Sequence, residues 1–244
     1  MLLWCVALAA PAAELEPRTS AAFDTYLQQA RRAFVARDRS GATLLEPDVV
    51  SAHPARADGI VSAPGGLIHH WAGTVFARGV TLRSALDVST GFPAYSSVYK
   101  RVVYAHVIAK DGDDYRVLMR VQEAESGISA VLDIRSRVEY RYPTPRSAVV
   151  VSTAEAIREV KNAGRPDEYL LSAGRDSGYL WRAATLTYFR EEAAGLYIET
   201  ETLGLSRGFP PLLGWIIEPI ARRVGRRSVA TTLQELVAAV RAKR

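Results

Sequence analysis

The chain has few of the residues from which metal and redox sites are built. It has one cysteine, Cys5, and four histidines in 244 residues, and they form no cluster with carboxylates at metal-ligand spacing. No catalytic set, metal site or cofactor is therefore predicted. Zinc-finger spacing, RNA-binding aromatic motifs and basic-leucine patterns are also missing, so no nucleic-acid partner is predicted. No run of about 18 apolar residues indicates a membrane-spanning helix.

The first residues are uncharged and mostly apolar. Ala7-Leu8-Ala9 and Ala10-Pro11-Ala12 are similar to the cleavage sites of secretory signals, although no positive charge precedes the apolar part. Residues 1–13 are therefore predicted to be a signal peptide, which would place the protein in the periplasm or outside the cell. The alternative is a misassigned start or a buried N-terminal segment, and the protein is then cytoplasmic.

The positive charge is concentrated at the C-terminal end. Residues 207–244 contain eight Lys and Arg and two Glu, so this segment carries +6 and the rest of the chain −1. A basic amphipathic helix can contact an anionic membrane surface. The alternative is a helix whose basic face is only solvated.

Two helices are predicted in the first part of the chain. Ser20 can cap a helix whose apolar residues recur at helical spacing, namely Phe23, Leu27, Ala30 and Phe34. This helix and the connection after it are assigned to residues 14–58. A first strand is predicted near 67–76, and Thr81 can start a short helix after it.

The middle of the sequence alternates with a period of two, which is typical of strands. Along 128–141 one face is apolar and the other is charged, so one face should meet apolar material and the other water. Short turns such as Asp111-Gly112-Asp113-Asp114 connect the strands, which indicates an antiparallel meander. The predicted strands are 102–109, 115–121, 128–141, 148–161, 179–191 and 196–205.

The chain ends in a helical pattern that begins at Pro210-Pro211. Its apolar stripe should lie across the concave face of the sheet. The stripe consists of Leu213, Ile216, Ile217, Ile220 and Val224, followed by Val229, Leu233, Leu236, Val237 and Val240. Gly225 lies between the two groups and is expected to bend or interrupt the helix.

The order of these elements and four local phrases resemble the START-like, or SRPBCC, helix-grip superfamily. The phrases are Gly65–Gly73, Gly178–Arg182, Leu203–Arg207 and Gly214–Pro219. The resemblance is to a bacterial branch and implies an α+β fold in which a curved antiparallel sheet wraps around a long C-terminal helix. Residues 59–244 are then a START-like ligand-binding domain, and the N-terminal helix is an addition. Members of this superfamily bind lipids, sterols, polyketides or hormones, and some are cyclases.

Nine residues are predicted to contact a ligand between the sheet and the C-terminal helix. Adjacent strand residues point to opposite faces, as His69 and His70 do, and alternation does not say which face is the inner one. The nine are His70, Trp71, Tyr95, Arg120, Trp181, Arg182, Tyr188, Glu199 and Ile217.

Two patterns near the last strand could support catalysis. Glu199 and Glu201 share a face and could act in acid–base chemistry, although charge pairing with Arg182 or Arg190 is the favoured interpretation. Residues 204–208 match the G-x-S-x-G nucleophile motif. All four histidines precede this serine, whereas hydrolases with that motif have their histidine after it, so a strand-end turn is favoured.

The favoured hypothesis is a binder or carrier of a small hydrophobic ligand, with access controlled by the loop near 91–99 or by the helix. A cyclase-like enzyme that uses His70 or Glu199 in the same cavity is one alternative. The other is an envelope interaction module whose core is filled by its own side chains. The predicted partners are a small hydrophobic ligand and, through the basic segment, an anionic membrane surface.

Overall fold

A computed structural model describes residues 14–40, 45–125, 128–172, 174–208 and 214–243. The α-helices within these ranges are α1 (Pro17–Ala36), α2 (Leu82–Ser89), α3 (Tyr95–Val98) and α4 (Gly214–Ala242). None of the described helices has the length and hydropathy that a membrane span requires. The signal peptide predicted at 1–13 lies outside the described residues and stays a prediction.

The strands of the described residues form one antiparallel sheet. Its main order is β1-β3-β10-β9-β7-β6-β5-β4, while β2 pairs with β3 and β8 pairs with β7. The strands are β1 (Ser51–Pro54), β2 (Ile60–Ala63), β3 (Gly66–Arg78), β4 (Val102–Asp111), β5 (Asp114–Glu125), β6 (Ile128–Thr144), β7 (Ser147–Lys161), β8 (Tyr169–Leu170), β9 (Arg182–Glu192) and β10 (Gly195–Arg207). This arrangement confirms the predicted α+β fold, with the sheet around α4 and α1 as an added helix.

The start of α1 differs from the prediction. The helix begins at Pro17, which needs no N–H partner in the first turn, and Glu16 is its N-terminal flanking residue. Ser20 is therefore inside the helix, where its hydroxyl accepts a hydrogen bond from Arg182. The predicted start of α2 is confirmed, because Thr81 and Ser84 form a reciprocal capping box.

Both faces of the sheet are covered where β3, β7, β9 and β10 lie, each by a different helix. Val150 of β7 packs in the core beneath α4, together with Phe189 and Ile198. Its neighbours Val149 and Val151 point the other way and pack against α1. The run of apolar residues in β7 thus follows from burial on both sides.

Helix α4 lies close to the sheet because small residues are present at the contact. A Cβ atom on Gly73 of β3 would lie 2.5 Å from Cγ1 of Val229 and 2.9 Å from Cδ1 of Leu233. Gly225 does not interrupt α4, which continues through it to Ala242. The predicted helix start at 210–211 lies outside the described residues.

Some strands were not predicted. β1 lies in the segment assigned to a connection, yet it pairs with β3 from Ser51 to Pro54. β1, β2 and β8 are only two to four residues long, too short to show a clear period. β9 begins at Arg182 and not at residue 179.

Candidate functional site: a cavity between the sheet and helix α4

A cavity of about 750 Å³ lies between the inner face of the sheet and α4. Strands β3 to β7, β9 and β10 contribute to its walls, and the helix contributes residues from Ala221 to Leu236. Apolar and aromatic side chains predominate, including Trp71, Phe92, Val102, Val117, Met119, Val121, Leu132, Val138 and Phe189.

Aromatic rings gather where the segment after α2 meets the sheet. The Phe92 ring centroid is 5.2 Å from that of Tyr95 and 5.2 Å from that of Tyr115. Tyr95 and Tyr140 both donate a hydrogen bond to the carbonyl oxygen of Ser89, at 2.6 and 2.8 Å. Burial raises the pKa of the Tyr95, Tyr99 and Tyr140 phenols well above the ordinary value, so this end of the cavity is uncharged.

Hydroxyl groups line the wall that β9 and β10 form. Thr187 and Thr200 are hydrogen-bonded across the two strands, with 3.1 Å between their Oγ1 atoms. The side chains of Thr185 and Thr202 line the same wall. The cavity therefore offers a few polar groups along one side of an otherwise apolar space.

His69 is the cavity histidine. Its Nε2 lies 2.8 Å from Oγ of Ser206, and both residues line the cavity. Burial lowers the pKa of the imidazole to about 4, because the charged form loses hydration. At neutral pH His69 is uncharged and can accept or donate one hydrogen bond at each ring nitrogen.

A charged pair lies beside α4. Arg101 at the start of β4 forms an ion pair with Glu123 near the end of β5, with 2.7 Å between Nη1 and Oε2. The same guanidinium donates to Oγ of Ser228 at 3.2 Å. These three residues line the cavity and place charge near the helix rather than at the aromatic end.

The opposite face of the sheet holds a buried ionic cluster. Glu201 pairs with His70 at 2.9 Å and with Arg37 at 2.6 Å. Glu199 pairs with Arg37 and, at 2.5 Å, with Arg39. The two arginines follow α1, so this ionic cluster joins the N-terminal segment to β10 and β3.

Two of the nine predicted residues, Trp71 and Tyr95, line the cavity. Alternation sends His70 and Glu199 to the opposite face, where they belong to the ionic cluster. This corrects their expected position and removes both from acid–base chemistry in the cavity. Glu199 and Glu201 form ion pairs with arginines, as the favoured interpretation predicted. The arginines are Arg37 and Arg39, however, and not Arg182 or Arg190.

Four further predicted residues also lie outside the cavity. Arg120 pairs with Asp133 at 2.7 Å and with Glu168 at 2.7 Å. Trp181 packs in the core beneath α1, where Arg182 pairs with Asp24 of that helix at 2.6 Å. The guanidinium of Arg39 lies 4.2 Å from the Tyr188 ring centroid. All four point away from the cavity: Arg120 toward its acidic partners, and the other three toward α1 and the segment after it. The side chain of Ile217 lies outside the described part of the structure.

Sequence reasoning missed His69, Ser206 and Arg101. His69 follows once Trp71 is known to line the cavity, because the two share a face of β3, but alternation alone does not identify that face as the inner one. Ser206 and Arg101 had no such signal, since their cavity positions depend on contacts between distant segments. Across the described residues, no group of His, Cys, Asp and Glu has the geometry to hold a metal ion.

No family model and no curated protein matches the sequence. Among the solved structures that are similar in fold are those of two proteins named as lipid transfer proteins. The STAR-related lipid transfer protein from Xanthomonas axonopodis has a TM-score of 0.52 and 15% identity, covering 75% of this chain and 99% of that chain. The human StAR-related lipid transfer protein 5 has a TM-score of 0.52 and 12% identity, covering 92% of this chain and 99% of that chain. The chain has the START-like helix-grip fold. In this fold the sheet curves around one long helix, which here is α4, and the 750 Å³ cavity lies between that helix and the sheet.

Proposed function

We propose that the protein binds and carries a small hydrophobic ligand in the cavity between the sheet and α4. The observation that carries this proposal is a 750 Å³ cavity with mostly apolar and aromatic walls and a few polar groups. Cavities of this size and lining are typical of sites that enclose most of a small molecule. The two structures of similar fold, named as lipid transfer proteins, support the same class of ligand.

The lining also supports a ligand that has an apolar body and a few polar groups. The apolar body would lie against Phe92, Tyr95 and the aliphatic residues, where burying apolar surface contributes about 25 cal/mol for each Å². Hydroxyl or carbonyl groups of the ligand would reach the Thr187 and Thr200 wall. The segment 91–99 and α4 both border the cavity, so a shift of either would give access.

A vesicle assay tests carriage directly. Donor vesicles contain a fluorescent phospholipid, a fluorescent fatty acid or a fluorescent sterol, and acceptor vesicles contain none. We expect the full chain to accelerate the transfer of at least one probe in proportion to protein concentration. The proposal is wrong if none of the three probes is transferred and none binds to the protein in solution.

An enzyme remains a second candidate because of one observation. His69 is an uncharged imidazole in the cavity, hydrogen-bonded to Ser206 at 2.8 Å. Such a group is unprotonated at neutral pH, so it can accept a hydrogen bond from a bound substrate and act as a weak general base. In this form of the enzyme hypothesis, His69 is the acid–base residue instead of His70 or Glu199.

The two candidates differ in what His69→Gln changes. For an enzyme, the variant loses turnover of a bound compound while the dissociation constant stays within about twofold. For a carrier, no bound compound is converted by either protein. Mass analysis of the extracted ligand before and after incubation distinguishes these outcomes.

A further inference from the structure

A second cleft lies beside Trp71, outside the apolar cavity. It has a volume of about 580 Å³ and is bordered by α4 and by the segment that joins β1 to β2. Its lining includes Trp71, Asp58, Arg222, Arg223, Arg226 and Arg227. We call it the arginine cleft. With four guanidinium groups and one carboxylate, these residues carry a net charge of +3.

The helical repeat concentrates the four arginines on one side of α4. At about 100° per residue, they occupy a sector of roughly 140°. Ala230 also lines the cleft, and its position lies within the same sector. Its small side chain leaves space between the arginine side chains, where a bound group could be contacted from several sides.

The charge in the cleft is only partly compensated. Asp58 pairs with Arg222. Arg223 and Arg226 are exposed, and neither has an ion-pair or hydrogen-bond partner among the described residues. Two unpaired guanidinium groups, those of Arg223 and Arg226, therefore remain in the cleft, and a bound anion would compensate their charge.

A buried donor borders the same cleft. Trp71 is only 4% exposed, and its Nε1 has no hydrogen-bond partner among the described residues. A buried N–H group without an acceptor costs about 1–3 kcal/mol. Nε1 faces α4, since a Cβ atom on Gly225 would lie 2.3 Å from it, and the donors that the cleft offers are those of the guanidinium groups.

We propose that the arginine cleft is a binding site for a phosphate group. Each guanidinium presents paired N–H donors, and a tetrahedral phosphate has enough oxygens to accept from several of them at once, whereas a carboxylate has two. The phosphate could belong to a lipid headgroup or to a free phosphate compound. Because the site is outside the apolar cavity, the proposal does not depend on ligand carriage.

Isothermal titration calorimetry of the full chain tests the site with two soluble probes, inorganic phosphate and dihexanoyl phosphatidic acid below its micelle concentration. The site variant is Arg223→Gln/Arg226→Gln, at exposed positions that have no described partner to lose. The control, Arg18→Gln/Arg83→Gln, removes the same charge from α1 and α2, where the two side chains are 70% and 86% exposed. We expect one bound probe per chain, a loss of at least about tenfold in affinity in the site variant, and a change within about twofold in the control.

The two probes separate the sources of the phosphate. Binding of inorganic phosphate with this pattern supports a site for free phosphate compounds. Binding of phosphatidic acid alone, with the same pattern, supports a lipid headgroup. Equal losses in both variants, or no binding of either probe, overturn the proposal. Vesicles of phosphatidylcholine that contain phosphatidylglycerol are tested separately. If they bind while neither soluble probe does, the basic segment acts through its charge at a membrane surface, which also overturns the proposal.

Discussion

The indole ring of Trp71 packs directly against Gly225 of α4. A Cβ atom at position 225 would lie 2.6 Å from Cδ1 of the indole and 2.7 Å from Cε2, well inside van der Waals contact. Trp71 is the residue that borders both the apolar cavity and the arginine cleft. The close approach of α4 to β3 therefore depends on the absence of a side chain at Gly225 of the helix, as well as at Gly73 of the strand.

Gly225→Ala should destabilise the protein despite the better helix propensity of alanine. Propensity alone favours alanine by about 1 kcal/mol, whereas forcing a methyl group into a packed contact costs about 1–3 kcal/mol. We expect a net loss of about 1 kcal/mol in the free energy of unfolding, measured by urea denaturation.

The matched control is the same change in a Trp71→Leu background, where the clashing ring is gone. There Gly225→Ala should be stabilising, so the sign of its effect reverses. If the substitution stabilises the protein in both backgrounds, the contact between Trp71 and Gly225 does not set the helix position.

Glu201→Gln should lower stability in a pH-dependent way. Burial raises the pKa of Glu201, but the hydrogen bonds from His70 and Arg37 lower it by more than burial raises it. The net pKa is therefore below the ordinary 4.5. Because the folded pKa is the lower one, the ionised group stabilises the fold above about pH 4.5, and this contribution is lost as the pH falls through the folded value. At neutral pH we expect a loss of about 3 kcal/mol, which diminishes in acid.

Urea denaturation across this pH range checks the expectation, with Glu155→Gln as the control. Glu155 is also a strand carboxylate, but its ion pair with Arg116 is 3.4 Å long and exposed. Its removal should cost less than about 1 kcal/mol. Equal losses in the free energy of unfolding for Glu201→Gln and Glu155→Gln would mean that the buried ionic cluster stabilises the fold no more than an exposed ion pair does.

His69 should titrate in acid. Its folded pKa of about 4 lies below the ordinary 6.5, so the unfolded chain binds the proton first as the pH falls. Between pH 6.5 and 4 the imidazole therefore reduces stability, and His69→Gln should lack this part of the pH dependence. NMR titration of the ring protons, assigned with the same variant, measures the pKa. A value near 6.5 would mean that the ring is hydrated and not enclosed.

Thr185→Trp should block the cavity without unfolding the protein. Thr185 lines the cavity wall beside its cross-strand neighbour Thr202, so an indole at this position would occupy ligand space. We expect the affinity for a bound fatty acid or sterol probe to fall by at least about tenfold. The control is Val103→Trp, which places the same ring at a position that is 48% exposed. Equal affinities for the two variants would place the ligand elsewhere.

The order of elements could be predicted because each depends on local patterns. The apolar residues of α1, including Phe23 and Phe34, have the spacing that buries one helix face, and the structure buries them. Even the capping box of α2 is encoded within four residues, Thr81 to Ser84. Alternation along β6 likewise needs no knowledge of distant contacts.

The inner face of the sheet could not be predicted in this way. Alternation separates His69 from His70, but both faces of β3 are covered, one by α4 and the other by α1. Which face carries Glu201 and His70 depends on Arg37, which pairs with Glu201 although 164 positions separate the two residues in the sequence. Contacts of that range leave no periodic signal, which is why His70 and Glu199 were assigned to the cavity.

Native mass spectrometry shows whether the cavity holds a small hydrophobic molecule. The purified full chain is measured as isolated and after incubation with phospholipid, fatty acid and sterol, and bound molecules are then extracted and identified. We expect a one-to-one adduct with an apolar molecule that Thr185→Trp greatly reduces and Val103→Trp retains. An unliganded mass under every condition would mean that the protein does not carry a ligand of this class.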